Sequence, residues 1–462
     1  MKRCYFIKII GWIGVLMLAG CSDFLEEKSQ DEVIVKTASD YSQFLLGSGY
    51  IDFAYDALYY FDDDLELDPG YYWEDDENMY ATQTFGHYTW QPDMWERESV
   101  GAMEAYQFTY MKLKGVNATL DGIDDATGAQ EEKDQVKAEA CALRGYYYHM
   151  LVNLFGEPYN YNKKTPGVPL KLTADLMENG IERNSVEEVY KQIIKDLKAS
   201  AELFEKYPKK RGNYRINVST VYVLLSRAFL YMEEWQEAID AAGKAIKSAE
   251  GLTDYTKIPE YSEFEMASYK HSEVEWLYNA WIEIPWGYIP SDDLMSKYSA
   301  GDRRLDLWFP WGTCNKKVTM EWVAPVNAVR ISEAYLNRAE AYAQQKKKTE
   351  ALADLNKLRR YRIEGYEDAD IADEATLLDE IRVERRLELC FDEHRWFDLR
   401  RYGMPSISHK YKVTEFEPWV IYTLQEKDPL YTIPIPRVAF DNNGRLEQNP
   451  SANAPERKGT IE

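Results

Sequence analysis

The chain is short of positive charge: 55 Lys and Arg stand against 79 Asp and Glu, a formal net charge of -24. Such a surface repels nucleic acid and anionic lipid, so no nucleic-acid partner is expected. Cysteine is scarce too. With Cys4 and Cys21 set aside at the N-terminus, only Cys141, Cys314 and Cys390 remain. An odd number at wide spacing fits neither a disulfide framework nor a zinc site, and all three read as buried thiols. Beyond Tyr41 there is no Ser/Gly-rich linker and no low-complexity block, so one folded body is the simplest partition. The signatures GxSxG, P-loop, HExxH and the Rossmann glycine fingerprint are all missing. No cofactor is called for.

The N-terminus carries more information. MKRCYFIK is a basic opening, and the apolar run IIGWIGVLMLA that follows is too short to span a bilayer. Leu18-Ala19-Gly20-Cys21 then closes the run with small residues before a cysteine, which resembles a bacterial lipoprotein lipobox. Residues 1–20 are therefore expected to be a signal peptide, and Cys21 the acylated first residue of the mature chain. More than one acyl chain makes such anchoring stable. Removing Lys2, Arg3 and Lys8 with the leader takes the charge from -24 to -27. The polar, acidic stretch SDFLEEKSQDEV reads as a tether, with packed structure beginning near YSQFLLGSGY.

Internal repetition points to the architecture. Arg144-Gly145-Tyr146-Tyr147-Tyr148, Arg227-Ala228-Phe229-Leu230-Tyr231 and Arg338-Ala339-Glu340-Ala341-Tyr342 share one pattern: Arg, a small residue, two variable positions, Tyr. Each lies late in an amphipathic helical run. The second and third are followed by a polar turn and a second helix with alanine on its inner face. The small residue lets two helices approach, and the Tyr fills the groove beside it. This is the logic of tetratricopeptide hairpins. The copies are 83 and 111 residues apart (227 − 144; 338 − 227), so insertions separate them and a pure solenoid is not expected.

The stretch ERRLELCFDEHRWFDLRR (384–401) is the most charged candidate for chemistry. Val383, Leu387, Cys390, Phe391, His394 and Phe397 recur at helical spacing and predict one buried stripe on one helix. Arg385–Glu388 and Arg395–Asp398 then fall as i,i+3 partners. Asp392 and Glu393 cannot clamp the His394 ring on a helix, because neighbours one and two apart point away from each other. With no nucleophile or oxyanion donor adjacent, the stretch reads as a structural girder rather than an active site.

Four stretches, AEACALRGYYYHMLVNLFGEPY (138–159), RISEAYLNRAEAYAQ (330–344), 384–401 and YTIPIPRVAFDNNGRLEQNP (431–450), resemble the SusD/RagB family of surface lipoproteins and run in that family's order. The resemblance implies a mostly α fold for residues 21–462: tetratricopeptide-like hairpins as scaffold, mainly over 100–250 and 328–402, with few short strands. Loop-rich insertions, mainly 60–95 and 265–325, would carry the ligand face. It implies a non-catalytic protein seated over a SusC-like TonB-dependent outer-membrane transporter, facing the cell surface and delivering glycan. A peptide cargo, as in the RagB branch, is the alternative; a surface glycosidase has no positive signal in the sequence.

Glycans are captured on aromatic rings, against which sugar C–H faces pack. YYWEDDENMY (71–80) and WLYNAWIEIPWGY (276–288) are ring-dense and lie outside the hairpins. Within them Tyr72, Trp73, Trp286 and Tyr288 are the expected ligand contacts, whereas Trp90 and Trp95 belong to the scaffold. The acidic run FDDDLELDPG (61–70) is no EF-hand: counting from Asp62 or Asp64, the required glycine is Leu67 or Pro69. It reads as a solvated loop, and no metal is expected.

Overall fold

The computed structural model describes residues 35–53, 55, 57–71, 77–97, 103–176, 179–259, 265–280, 287–310, 314, 316, 325–441 and 443–462. Its first helix, α1 (Ala38–Ser48), starts where Thr37 and Asp40 form a capping box, each side chain accepting the other's backbone N–H. Helix α2 (Met79–Tyr88) is capped by Asn78. A π-helical turn, Met103–Phe108, leads into α3 (Thr109–Gly122). The scaffold continues with α4 (Gln130–Phe155), α5 (Val186–Lys206), α6 (Val218–Tyr231) and α7 (Trp235–Ser248). After an insertion it resumes with α8 (Ile331–Gln344), α9 (Lys348–Arg360), α10 (Glu374–Leu389) and α11 (Arg395–Arg401).

The repeat pattern does what its spacing predicts. A Cβ at Gly145 would lie 2.8 Å from Leu197 Cγ, so α4 and α5 approach as closely as glycine allows. Ala228 and Ala339 are fully buried at the equivalent positions. The α6–α7 and α8–α9 hairpins turn through Glu233 and Lys346, both left-handed at φ 61° and 60°, and Ala238, Ala242, Ala245 and Ala351 are buried on the second helices. The repeated arginine has a partner that the pattern did not reveal. Arg144 holds Asp196 of α5 with two hydrogen bonds (2.9 and 2.8 Å), Arg227 holds Glu333 of α8 (2.6 and 2.7 Å), and Arg338 holds Asp354 of α9 (2.7 and 2.7 Å). Each forked pair ties its helix to a neighbour in one orientation.

The girder differs from the single helix expected over 384–401. Helix α10 ends at Leu389, Phe391 and Glu393 adopt left-handed φ values of 59° and 64°, and α11 begins at Arg395. The expected i,i+3 pairs are replaced by tertiary ones. Arg385 pairs with Asp398 across the break (2.8 Å), Arg395 with Asp63 (2.6 Å), and Glu388 accepts from Arg304, Arg330 and Arg362. Buried long-range partners outweigh the few tenths of a kcal/mol that a helical pair supplies. The stripe itself is packed as predicted, with Leu387, Cys390, Phe391, His394 and Phe397 buried.

Strands are few and short: β1 (Leu65–Leu67), β2 (Val274–Ala280), β3 (Tyr288–Pro290), β4 (Pro325–Arg330), β5 (Ile407–Tyr411), β6 (Val420–Leu424) and β7 (Thr460–Ile461). All pairings are antiparallel: β1 with β3, β2 with β4, and β5–β6–β7 in one small sheet. The hairpins surround one hydrophobic core, while β1, β3, the short helix Arg303–Trp308 and β5 enclose a second.

Candidate ligand face

The second core positions the candidate face. Leu65, Leu67, Tyr60, Tyr88, Tyr288, Trp308, Phe309 and Cys314 pack within it, roofed by the β1–β3 ladder in the register Leu67 to Tyr288. Asp68 N–H extends the ladder to Gly287 O (3.0 Å), and Ser291 N–H closes its far end on Asp64 O (2.8 Å). Gly287 sits at φ +81°, and a Cβ there would lie 2.9 Å from Asn78 Oδ1, so both backbone conformation and space require glycine. Asn78 N–H in turn donates to Val413 O (2.8 Å). In this way the chain on either side of residues 72–76 and the chain entering β3 are drawn to the same end of one ladder. At the hairpin tip between β5 and β6, Thr414 bridges to Glu77, and Phe416 stands 80% exposed.

Tyr72, Trp73 and Trp286 lie outside the described residues, as does Cys21. Tyr288 does not serve as an open platform. It is 6% exposed, its ring lies edge-on to Tyr60 and Tyr88 at 5.4 and 5.2 Å, and its hydroxyl bonds Thr84 Oγ1. Alternation explains the correction: in β3, Tyr288 and Pro290 face inward and Ile289 is partly exposed. Trp276 and Tyr278, from the same ring-dense stretch, are also buried, stacked at 4.6 Å in β2. Trp90 and Trp95 are buried as expected, their indole N–H groups donating to Phe61 O and Pro434 O.

The acidic run is not the solvated loop expected. Asp62 and Asp64 are buried. Arg395 grips both oxygens of Asp63 at 2.6 and 2.8 Å, while Arg386 holds Asp64 at 2.7 Å and Asp293 at 2.6 Å. Burial opposes the charge on Asp63, but Arg395 overcomes it and holds the carboxyl well below its usual range. Burial, with Asp64 and Asp63 alongside, pushes Asp62 well above that range. The three carboxylates offer oxygens within 4.8 Å of one another, yet two of them already hold guanidinium partners. This loop ties the base of β1 to α10 and α11.

A larger ion network lies behind it. Glu388 accepts from Arg304, Arg330 and Arg362. Glu273 accepts from Arg330 and Arg362, Asp302 and Glu384 from Arg304, and Asp392 from Lys316 and Arg330. Burial opposes the Glu388 charge, and Arg362 and Arg330 overcome it, keeping the carboxyl well below its usual range. Carboxylates gripped in this way hold elements together. His394 is buried at the N-terminus of α11, where burial, then Arg227 and Arg385, drive its pKa well below the ordinary value. Cys141, Cys314 and Cys390 are buried. Burial pushes Cys141 to about 12 and Cys390 to about 11, far from a reactive thiolate.

The described architecture is a helical-repeat scaffold with a second, strand-roofed core beside the first. Two family models match the chain: the SusD family over residues 323–451, and "Starch-binding associating with outer membrane" over residues 23–230. The chain belongs to the SusD/RagB family. No curated protein matches it. Its fold is similar to that of a SusD-like carbohydrate binding protein from Bacteroides vulgatus, with TM-score 0.69 and 19% identity, covering 89% of this chain and 97% of that one. A SusD superfamily protein from the same organism gives TM-score 0.71 and 20% identity over 90% and 99%. A laminarin binding SusD-like protein gives 0.63 and 19% over 90% and 99%.

Proposed function

We propose that the protein is a non-catalytic, glycan-binding lipoprotein, anchored in the outer membrane through acylated Cys21 and facing the cell surface. It captures an oligosaccharide on the face above the second core, with Tyr72, Trp73 and Trp286 as its contacts, and passes it to a SusC-like TonB-dependent transporter. The observation that carries the reading is the matched family model described as starch-binding and outer-membrane-associated. The ladder that brings the flanks of 72–76 beside the chain leaving 281–286 supports the choice of face, and the laminarin-binding relative supports a glycan cargo.

The test is calorimetric titration with maltoheptaose, laminarihexaose and an unrelated oligopeptide, alongside assay for released sugar. Binding of one glycan, weakened by roughly 1–3 kcal/mol in Trp73→Ala and in Trp286→Ala with melting unchanged, is the expected result. Binding of the peptide alone would replace the cargo, and sugar turnover would overturn the non-catalytic reading. Copurification with a TonB-dependent transporter from detergent-solubilised outer membranes tests the partnership.

A further inference from the structure

Away from the ligand face, a cavity of about 430 Å³ opens between the π-helical turn with α3 on one side and residues 171–176 with the 437–439 turn on the other. A smaller lobe of about 180 Å³ adjoins it through the same tyrosines. Its walls are Tyr106 and Tyr110, with ring centroids 4.8 Å apart, together with Met111 and Leu176, which are 57% and 88% exposed. The volume is that of a small-ligand pocket.

Both walls are fixed before any ligand arrives. Lys171 O accepts from Asn117 Nδ2 and Tyr148 Oη at 2.8 and 2.6 Å, and Ala174 N–H donates to Asp121 at 2.8 Å, which pins the 171–176 segment to α3 and α4. Tyr110 Oη donates to Pro169 O at 2.8 Å. The π-helical turn is itself a backbone form that recurs at functional sites. Gln107, on that turn, lines the cavity, and its Oε1 is buried with no hydrogen-bond partner among the described residues. A buried acceptor left unmatched costs free energy until a donor arrives. Lys114 supplies an exposed donor at the mouth.

We infer that this groove is a second glycan-binding site, taking one or two sugar units of the same cargo. The partly exposed Tyr110 ring and the exposed Met111, with Tyr106 buried behind them, meet sugar C–H, while Gln107 accepts from, and Lys114 donates to, hydroxyls that do both. The inference rests on the glycan reading above, but the site shares no residue with the face that carries it.

Maltoheptaose and laminarihexaose are titrated into the mature protein, into Gln107→Leu and Met111→Ala, into the double variant Trp73→Ala/Trp286→Ala, and into that double variant carrying Gln107→Leu. Two sites are expected in the unaltered protein. The weaker one should persist in the double variant and weaken about tenfold on adding Gln107→Leu. Met111→Ala, at an exposed position, should weaken it as well without lowering melting. A single site, abolished by the double variant and untouched by Gln107→Leu and Met111→Ala, overturns the groove and leaves the face standing. Loss of binding in the groove variants with none in the double variant overturns the face and keeps the groove. No binding of either sugar by the unaltered protein overturns both.

Discussion

Arg385 Nε donates to Asp398 Oδ2 at 2.8 Å across the Cys390–His394 break, with the Arg385 side chain fully buried. The same guanidinium reaches Asn337 Oδ1 at 2.6 Å, so one arginine fixes α8, α10 and α11 together. Asp398→Ala strands that charge, and a buried charge left without its partner costs about 3–5 kcal/mol. Urea unfolding should show this loss; a change below about 1 kcal/mol would mean that the pair does not hold the break in solution.

His394 lies beside this pair, its Nδ1 facing Arg385 Nη2 at 3.5 Å and its Nε2 facing Glu333 at 3.9 Å. His394→Ala is expected to cost roughly 1–3 kcal/mol of stability and to leave glycan affinity unchanged. Melting and titration on one preparation separate the roles. Lost binding at constant melting temperature would make His394 a site residue.

Tyr288 contributes to the core, so its variants should move stability and not affinity. Tyr288→Phe removes only the bond to Thr84, at a cost of about 0.5–1.5 kcal/mol. Tyr288→Ala opens a cavity beside Tyr60 and Tyr88 and should cost about 3–5 kcal/mol. Affinity that falls in Tyr288→Phe while stability holds would restore the ring to the ligand face.

Glu275 is 2% exposed and its Oε1 has no partner among the described residues. Burial raises its pKa from 4.5 to about 7. The native state therefore holds a proton that the unfolded chain has lost between these values, and stability falls as pH rises through that window. Glu275→Gln removes the effect. The variant should exceed the unaltered protein by on the order of 3 kcal/mol at pH 8, because each tenfold change in proton affinity is worth about 1.36 kcal/mol. Below pH 4.5, where the carboxyl is protonated in both states, the two proteins should match. Parallel pH dependences for the two proteins would show that the carboxyl is not held neutral.

Cys21→Ser removes the acyl acceptor. The expected outcome is loss of membrane retention in fractionated cells, whereas mass spectrometry of the unaltered protein extracted from membranes should find no intact Met1. Retention equal to that of the unaltered protein would remove the basis for lipid anchoring.

The arginine–small–tyrosine repeat and the alanine faces were legible because helices impose local periodicity: residues three and four apart share a face wherever the chain goes. What a charged side chain does was not legible. Within 384–401 local rules paired Arg385 with Glu388 and Arg395 with Asp398, but Arg395 reaches Asp63 332 positions away and Arg386 reaches Asp64 322 away. Those contacts bury an acidic run that composition alone makes look solvated. Tyr288 followed the same course: ring density marked the segment, and only the strand register against Leu67 decided which rings face the core. By itself the sequence determined the helical hairpins and the family resemblance. Tertiary structure alone decided which acids, arginines and rings are consumed by the scaffold, because those contacts join residues that no local period relates.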